Sequence, residues 1–381
     1  MESEGLLINY LSYTGANTLR ALAGVPEDRP ADGHQIAAMA AMAEEEMRAG
    51  ALGVSYGLEY QPAASWEEVL ALGFAAGRHG GMTAAHARSG GLGQSALDAV
   101  EEMLRLARDT GIPHQYSHIG SMLAYGDGMD EALNRLARAQ AEGLRVTSDI
   151  YGYDAGMAGI NASQLDPGVF DRFGCEPSDL EVLTDVILDG SLVMAAGSRF
   201  VSREQYARIR QAFFENRLDG CPIIIAHTQK WAKIRLAMKS PHVCICSDGA
   251  VYGSDDGQTF FSHPRVAGAF AVWLGRFVRE EGVTDLMTGL FKASTMAALI
   301  LGLSGKGRVA LGADADLTIF DPGTVIDRAG YGEGFMTPPE GIAYVLVNGK
   351  TTVSRGRLVP GVLAGRPVRR TWEVPGYRLG G

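Results

Sequence analysis

The chain reads as an α/β protein: an incomplete, TIM-like (β/α)8 barrel over residues 1–304, followed by a small β region over 305–381. Three observations predict this. Strand-like apolar runs alternate with amphipathic helical runs up to residue 304, the pattern of a parallel sheet. Two of those runs, Met82–His86 and Pro113–His118, end in histidine, at the carboxyl ends of strands where such a barrel carries its functional groups. From Gly305 the texture changes to short β-like pieces. Roughly seven or eight strand-like runs precede that point, so a closed eight-stranded barrel is hard to complete from this chain alone.

Taken in order, Leu6–Tyr13 reads as a strand and Ala16–Ala23 as a short helix. Gly33–Ala49 is a stronger helix, with Ile36, Met39, Ala40, Ala43 and Met47 on one face. Ala51–Tyr56 is the next strand, and Ser65 with Glu68 forms a capping box for a helix through Gly77. Met82–His86, Ser95–Thr110 and the run ending at His118 form a strand–helix–strand unit. The helix is marked by Ala96, Val100, Met103, Leu104 and Ala107. Asp130–Glu142 is helical and Arg145–Ile150 a strand. Residues 157–220 fit an insertion over the barrel mouth, with a strand at Leu192–Ala196 and a helix at Ser202–Leu218. Ile223–His227 and Val243–Asp248 are two more buried-type strands, and Ala267–Glu280 and Val283–Leu301 are helices. Gly307–Val309, Ala315–Phe320 and Ile342–Val347 supply the β-like pieces of the small domain.

The 381 residues, 46% hydrophobic and 20% charged, suit a globular chain with a sizeable core. A net charge of −10 argues against nucleic acid or an anionic membrane as partner. The four cysteines, Cys175, Cys221, Cys244 and Cys246, show no framework spacing, which points to a reducing compartment. With no signal peptide and no apolar span of about 20 residues, a cytoplasmic location is expected.

A neutral imidazole at a strand end is a good zinc ligand, and two from neighbouring strands, His86 and His118, can reach one ion. The alternative is that each is an ordinary polar residue opening a loop. Asp248, between a hydrophobic strand and Gly249, suits metal coordination or proton transfer, and equally a turn cap. Arg265 can grip a carboxylate with two prongs, although an arginine taken alone is more often on the surface. His227 is expected to be structural or to stand behind the site, and His34, His79 and His242 to face solvent. Cys246 borders Asp248 or simply fills the core. No nucleophile elbow or phosphate loop is present.

Together, Ala85-His86-Ala87-Arg88, Ser117-His118, the run Asp149 to Gly156, Ser247-Asp248-Gly249, His263-Pro264-Arg265 through Glu280, Gly307-Arg308-Val309 and Ala313 to Pro322 form an ordered set. That set resembles the N-acyl-D-amino-acid deacylase (D-aminoacylase) branch of the metal-dependent amidohydrolase superfamily, over nearly the whole chain. The resemblance implies an amidohydrolase barrel with a β-sandwich domain, and zinc, one or two ions, as cofactor. It implies His86 and His118 as ligands, and Asp248 as general base and further metal ligand. Arg265, Tyr151, Tyr153 and Arg88 are implied as substrate contacts. The reaction implied is hydrolysis of an amide C–N bond, with an N-acyl-D-amino acid as first choice of substrate. A cyclic amide (hydantoin, diketopiperazine or lactam) and a non-catalytic, partner-binding subunit are the alternatives.

Two departures from the family pattern carry consequences. None of the eight histidines forms the His-x-His pair with which the family begins, and the bridging ligand that follows it there is missing. A second subunit supplying that strand and ligand, the first choice, or an absent N-terminal part is therefore expected, and it would also cover the open strand edges. In addition, Gly120 stands where the family often has a substrate-contacting lysine.

Overall fold

The computed structural model describes residues 5–88, 95–253 and 260–369. Its centre is a six-stranded parallel sheet: Thr14–Gly15, Gly53–Gly57, Met82–His86, His114–Tyr116, Val146–Ile150 and Val243–Ile245, side by side in chain order. Helices Gly33–Arg48, Trp66–Arg78, Ala96–Thr110 and Met129–Ala141 lie along it. Ser65 with Glu68 and Ser95 with Asp98 form complete capping boxes, and Asp32 with Gln35, which the sequence reading did not single out, does the same for Gly33–Arg48.

Successive side chains of a strand point to opposite faces, and the two faces here differ sharply in chemistry. Val54, Tyr56, Ala85, Tyr116, Val146, Ile150, Val243 and Ile245 pack with Met39, Leu72, Met103 and Leu136 of the helices in one core. The opposite face carries Ser55, Ala84, Gln115 and Thr147 in one row across four strands, with Asp149 beside Cys244 above it. Gln115 donates to Asp149 Oδ2 at 2.7 Å, and Thr147 donates to Gln115. Among the described residues the two outermost strands of the sheet do not pair with each other, so the sheet stays open, as an incomplete barrel requires.

Several sequence expectations shift. Leu6–Tyr13 is not a strand of the sheet; it makes isolated bridges from Leu6 to Gly365 and from Tyr10 to Pro367. Its apolar side chains misled, since Leu7, Ile8 and Tyr10 are exposed. The first parallel strand is instead Thr14–Gly15. Ile223–Ala226 is a buried strand, but it pairs antiparallel with Gly156–Gly159 and Leu180–Val182. These strands, the hairpin Val186–Leu188 with Ser191–Met194, and helix Arg203–Phe214 form the insertion. It has its own core of Val169, Phe170, Phe200, Tyr206 and Ile224. The β-like pieces near the end form a four-stranded antiparallel sheet of Leu317–Phe320, Ile342–Val347, Lys350–Ser354 and Arg357–Leu358. Gly307–Val309 is not a strand, and the part of the β region beyond residue 369 lies outside the described residues.

One buried ion pair ties the start of the chain to the sheet's helices. Arg20 and Glu68 are each 2% exposed and bonded to one another. Arg20 also donates to the carbonyls of Pro26 (3.1 Å) and Arg29 (3.0 Å), while Glu68 accepts from Ala31 N at 2.8 Å and Ser65 N at 2.9 Å. Removing one partner strands a buried charge. Glu68→Ala should therefore cost about 3–5 kcal/mol of stability, read as an earlier midpoint in urea unfolding.

Candidate active site

His86 ends the buried strand Met82–His86, beside Gly57 of the neighbouring strand. His118 lies just past the end of the next strand, in left-handed backbone with φ 36°. Two bonds hold it in that conformation: its N–H donates to Asp149 Oδ1 at 2.6 Å, and its carbonyl accepts from Ser121 Oγ at 2.9 Å. Ser121 Oγ also lies 2.8 Å from His118 Nδ1. A hydroxyl already donating to the carbonyl can only accept from the ring, so Nδ1 carries a proton, and in a neutral ring the lone pair falls on Nε2.

The two imidazoles meet edge to face, with centroids 4.5 Å apart. His86 Nε2 is buried without a hydrogen-bond partner among the described residues. Burial, then His118 and Arg265, hold the His86 pKa well below the usual histidine value, so the ring is neutral.

Asp248 follows the strand Val243–Ile245 and adopts φ 48°. Its Oδ2 lies 2.8 Å from Nη1 of Arg265, whose side chain is 5% exposed against 33% for Asp248. The guanidinium stacks 4.5 Å above the Tyr151 ring. Burial opposes the Arg265 charge, but Tyr151 and Asp248 outweigh it and keep the pKa above the usual arginine value. Burial raises the Tyr151 hydroxyl to about 12, so it stays protonated. Behind Arg265, buried His263 accepts the Arg265 N–H at Nδ1 (3.1 Å) and sets Nε2 3.1 Å from the Ala155 carbonyl.

These groups converge on a cavity of about 140 Å³ lined by His86, His118, Tyr151, Asp248 and Arg265, with Gln229 beside Tyr151. Met157, Ala158, Ile224 and Ala226 of the insertion form the facing wall. Five of the residues singled out in the sequence are thus brought together.

Tyr153 and Arg88 are not among the residues lining it. Tyr153 donates to Asp327 Oδ2 at 2.8 Å, because the chain has left the strand after Ile150 and no longer alternates. Arg88 pairs with Glu102 at 3.1 Å and donates to the carbonyls of Pro62 (2.6 Å) and Ala64 (2.8 Å), which uses up its fork. His227 sits near Glu181 (3.5 Å) and Arg199 (3.3 Å). His34 is exposed, while His79 and His242 are half-buried. Sequence reasoning missed the roles of Ser121, Gln229 and His263. Ser121 left a signal, three residues after His118 at helical spacing, and His263 its place in the motif before Arg265.

A parallel sheet with histidines at two strand ends and an Asp–Arg pair at a third defines a hydrolase site of the amidohydrolase kind. The profile of the amidohydrolase family matches residues 12–360, and the chain belongs to that family. It is 30% identical over 374 residues to a D-aminoacylase of Alcaligenes xylosoxydans xylosoxydans, covering 96% of this chain and 71% of the relative. It is 28% identical over 401 residues to an N-acyl-D-glutamate deacylase of the same organism, covering 99% and 72%. A crystal structure of N-acyl-D-glutamate deacylase from Bordetella bronchiseptica, complexed with zinc and a phosphonate mimic of the tetrahedral intermediate, superposes with TM-score 0.78 at 26% identity. That match covers 96% of this chain and 72% of the other.

The family implies a metal, and the residues here fit one in part. His86 and His118 offer two imidazoles, one with a buried nitrogen lacking any partner among the described residues. Among those residues no group of three or more His, Cys, Asp or Glu gathers as a cluster, and Asp248 faces Arg265. Ser121 orients His118, so if this ring is a ligand Ser121→Ala should weaken metal affinity about tenfold or more, measured by competition with a chromophoric chelator.

Proposed function

We propose that this protein hydrolyses the amide bond of N-acyl-D-amino acids, with zinc as the metal. The observation that carries the reading is the Asp248–Arg265 pair, set at 2.8 Å in the same cavity as His86 and His118. His86 and His118 would hold the ion, which when bound supplies Lewis-acid polarisation and lowers the pKa of water. Asp248, held beside Arg265, is placed to accept the proton of the attacking water and return it to the departing nitrogen. The second prong of Arg265, Nε, is buried without a partner among the described residues and suits the substrate carboxylate. Tyr151, protonated and stacked on the guanidinium, adds an O–H donor. The D configuration rests on the names of the relatives.

The reading extends to a partner. The open edges at Thr14–Gly15 and Val243–Ile245, and the polar inner face between them, support completion by strands of a second polypeptide carrying further metal ligands. The division into a barrel over 1–304 and part of a β-sandwich over 305–381 belongs to the same proposal. No helix among the described residues is long and apolar enough to cross a membrane, and the four cysteines are free, which supports a reducing cytoplasm.

The test uses the protein as isolated from cells, with whatever copurifies. N-acetyl-D-amino acids should be hydrolysed and their L forms left intact; equal turnover of both would remove the stereochemical assignment. A chelator should abolish turnover and zinc restore it. Asp248→Asn should lower kcat by roughly 10²–10⁴ with KM little changed, whereas Arg265→Met should act chiefly on KM.

A further inference from the structure

Arg265 is the first residue of the helix Arg265–Val272, and the residue before it, Pro264, has no side chain that can cap the helix start. The first turn is held from outside instead. Tyr153, buried and outside the cavity lining, touches the stretch 263–268 at three points. Its ring meets the His263 ring edge to face, with centroids 5.3 Å apart, and its hydroxyl lies 3.5 Å from the Pro264 carbonyl. The third point is Gly268, where a Cβ would collide with both the Tyr153 hydroxyl and the Asp327 carboxylate. The helix lies this close to them because residue 268 has no side chain.

The Tyr153 hydroxyl is itself fixed. It donates to Asp327 Oδ2 at 2.8 Å, and Asp327 Oδ1 accepts from Ala329 N at 2.7 Å. Burial, then the Asp327 charge, holds the Tyr153 pKa above the usual tyrosine value, so the hydroxyl keeps its proton and is the donor. Asp327 belongs to the connection, residues 321–341, between the strands Leu317–Phe320 and Ile342–Val347. The same connection sends Tyr331 against the His263 ring, with centroids 5.1 Å apart, and the Tyr331 hydroxyl donates to Asp154 Oδ1 at 2.8 Å. At its far end the Arg265 side chain rests on Tyr151, two residues before Tyr153. Residues 151–153 thus bear on both the base and the head of this arginine.

We propose that Tyr153 and Asp327 are positioning residues for Arg265: their hydrogen bond sets the first turn of the helix so that the guanidinium reaches Asp248 and the substrate carboxylate together. The proposal rests on the role argued for Arg265 above. It extends that role to the C-terminal β region, which supplies none of the described residues lining the cavity. A guanidinium grips a carboxylate through two donors in a fixed plane, so a small tilt at the helix start weakens the grip. Tyr153 and Asp327 act through Arg265 and not on the substrate.

The experiment compares N-acetyl-D-methionine with its carboxamide, N-acetyl-D-methioninamide, whose neutral end gives Arg265 no anion to hold. Acetate release is followed in the protein as isolated and in its variants. Tyr153→Phe keeps the ring and removes the hydrogen bond. It should raise KM for the acid about threefold to tenfold, the worth of one buried hydrogen bond, with kcat changed by less than about twofold. The carboxamide should keep its kcat/KM within about twofold. Asp327→Ala should act as Tyr153→Phe does, and Asp327→Asn, which keeps an acceptor, should restore most of what Asp327→Ala loses. In an Arg265→Met background, Tyr153→Phe should add nothing, because the group it positions is gone.

A role in stability alone would lower turnover of the acid and the carboxamide in the same proportion, and the loss would persist in the Arg265→Met background. Either result overturns the proposal, as does an unchanged KM for the acid in both Tyr153→Phe and Asp327→Ala, and each leaves the deacylase reading in place. If the unmodified protein turns over no N-acyl-D-amino acid, both fall together.

Discussion

The site depends on keeping one guanidinium charged inside the protein. Arg265 is 4% exposed, and a charge so deeply buried persists only when it is paired and its surroundings are polarisable. Asp248 supplies the pair at 2.8 Å and Tyr151 the aromatic face at 4.5 Å. Each is fixed by something else. Asp248 accepts left-handed backbone, a conformation that aspartate tolerates better than most residues. His263 holds the Arg265 backbone from behind, and burial followed by the nearby Arg265 charge keeps that imidazole neutral, so that Nδ1 can accept. A protonated His263 would have no acceptor to offer and would add a second buried cation. The pair therefore organises residues from three separate stretches of chain, and the active site is assembled around it.

The insertion solves a different problem. A pocket at the end of a parallel sheet opens to solvent unless something covers it, and charged groups work better where water is scarce. Met157 and Ala158 on one strand and Ile224 and Ala226 on its antiparallel neighbour present a wall across from the histidines. That wall stands on its own core of Phe170, Phe200 and Tyr206, separate from the core beneath the sheet. Its strands can vary without disturbing the two histidines or the ion pair, which makes the wall the natural place for this fold to adjust the size of the cavity.

What could be read from the sequence followed from local physics. The helices announced themselves through caps and periodic apolar faces, and the structure starts Trp66–Arg78 and Ala96–Thr110 where Ser65 and Ser95 predict. His86, His118 and Asp248 were legible because a buried apolar run pointed to each. The misses came from contacts set by the rest of the fold. Leu6–Tyr13 is apolar enough for a strand, yet it lies at the surface against residues 365–368. Ile223–Ala226 is buried enough for the main sheet, but its direction is set by partners distant in sequence. Tyr151 and Tyr153 are indistinguishable as letters, and they part company because the strand ends at Ile150, after which Tyr151 turns to Arg265 and Tyr153 to Asp327. Gln229 gave no signal and His263 only its place in the motif before Arg265, since their roles come from neighbours that only the folded chain brings near.

The position of His118 shows why an open sheet can still hold a side chain in a defined orientation. Its own strand ends two residues earlier, at Tyr116, and φ 36° is a conformation that costs a non-glycine residue of order 1–3 kcal/mol unless surroundings impose it. Those surroundings are a chain of hydrogen bonds across the inner face: Thr147 to Gln115, Gln115 to Asp149, and His118 N–H to Asp149. Every member sits on the strands His114–Tyr116 or Val146–Ile150, or immediately beyond them. The polar face of the sheet is thus the same network that aims this imidazole. An all-apolar inner face would fill space better, but it would leave His118 N–H buried without an acceptor and release the turn that points the ring at His86. Polarity inside the sheet is accordingly a requirement of the site.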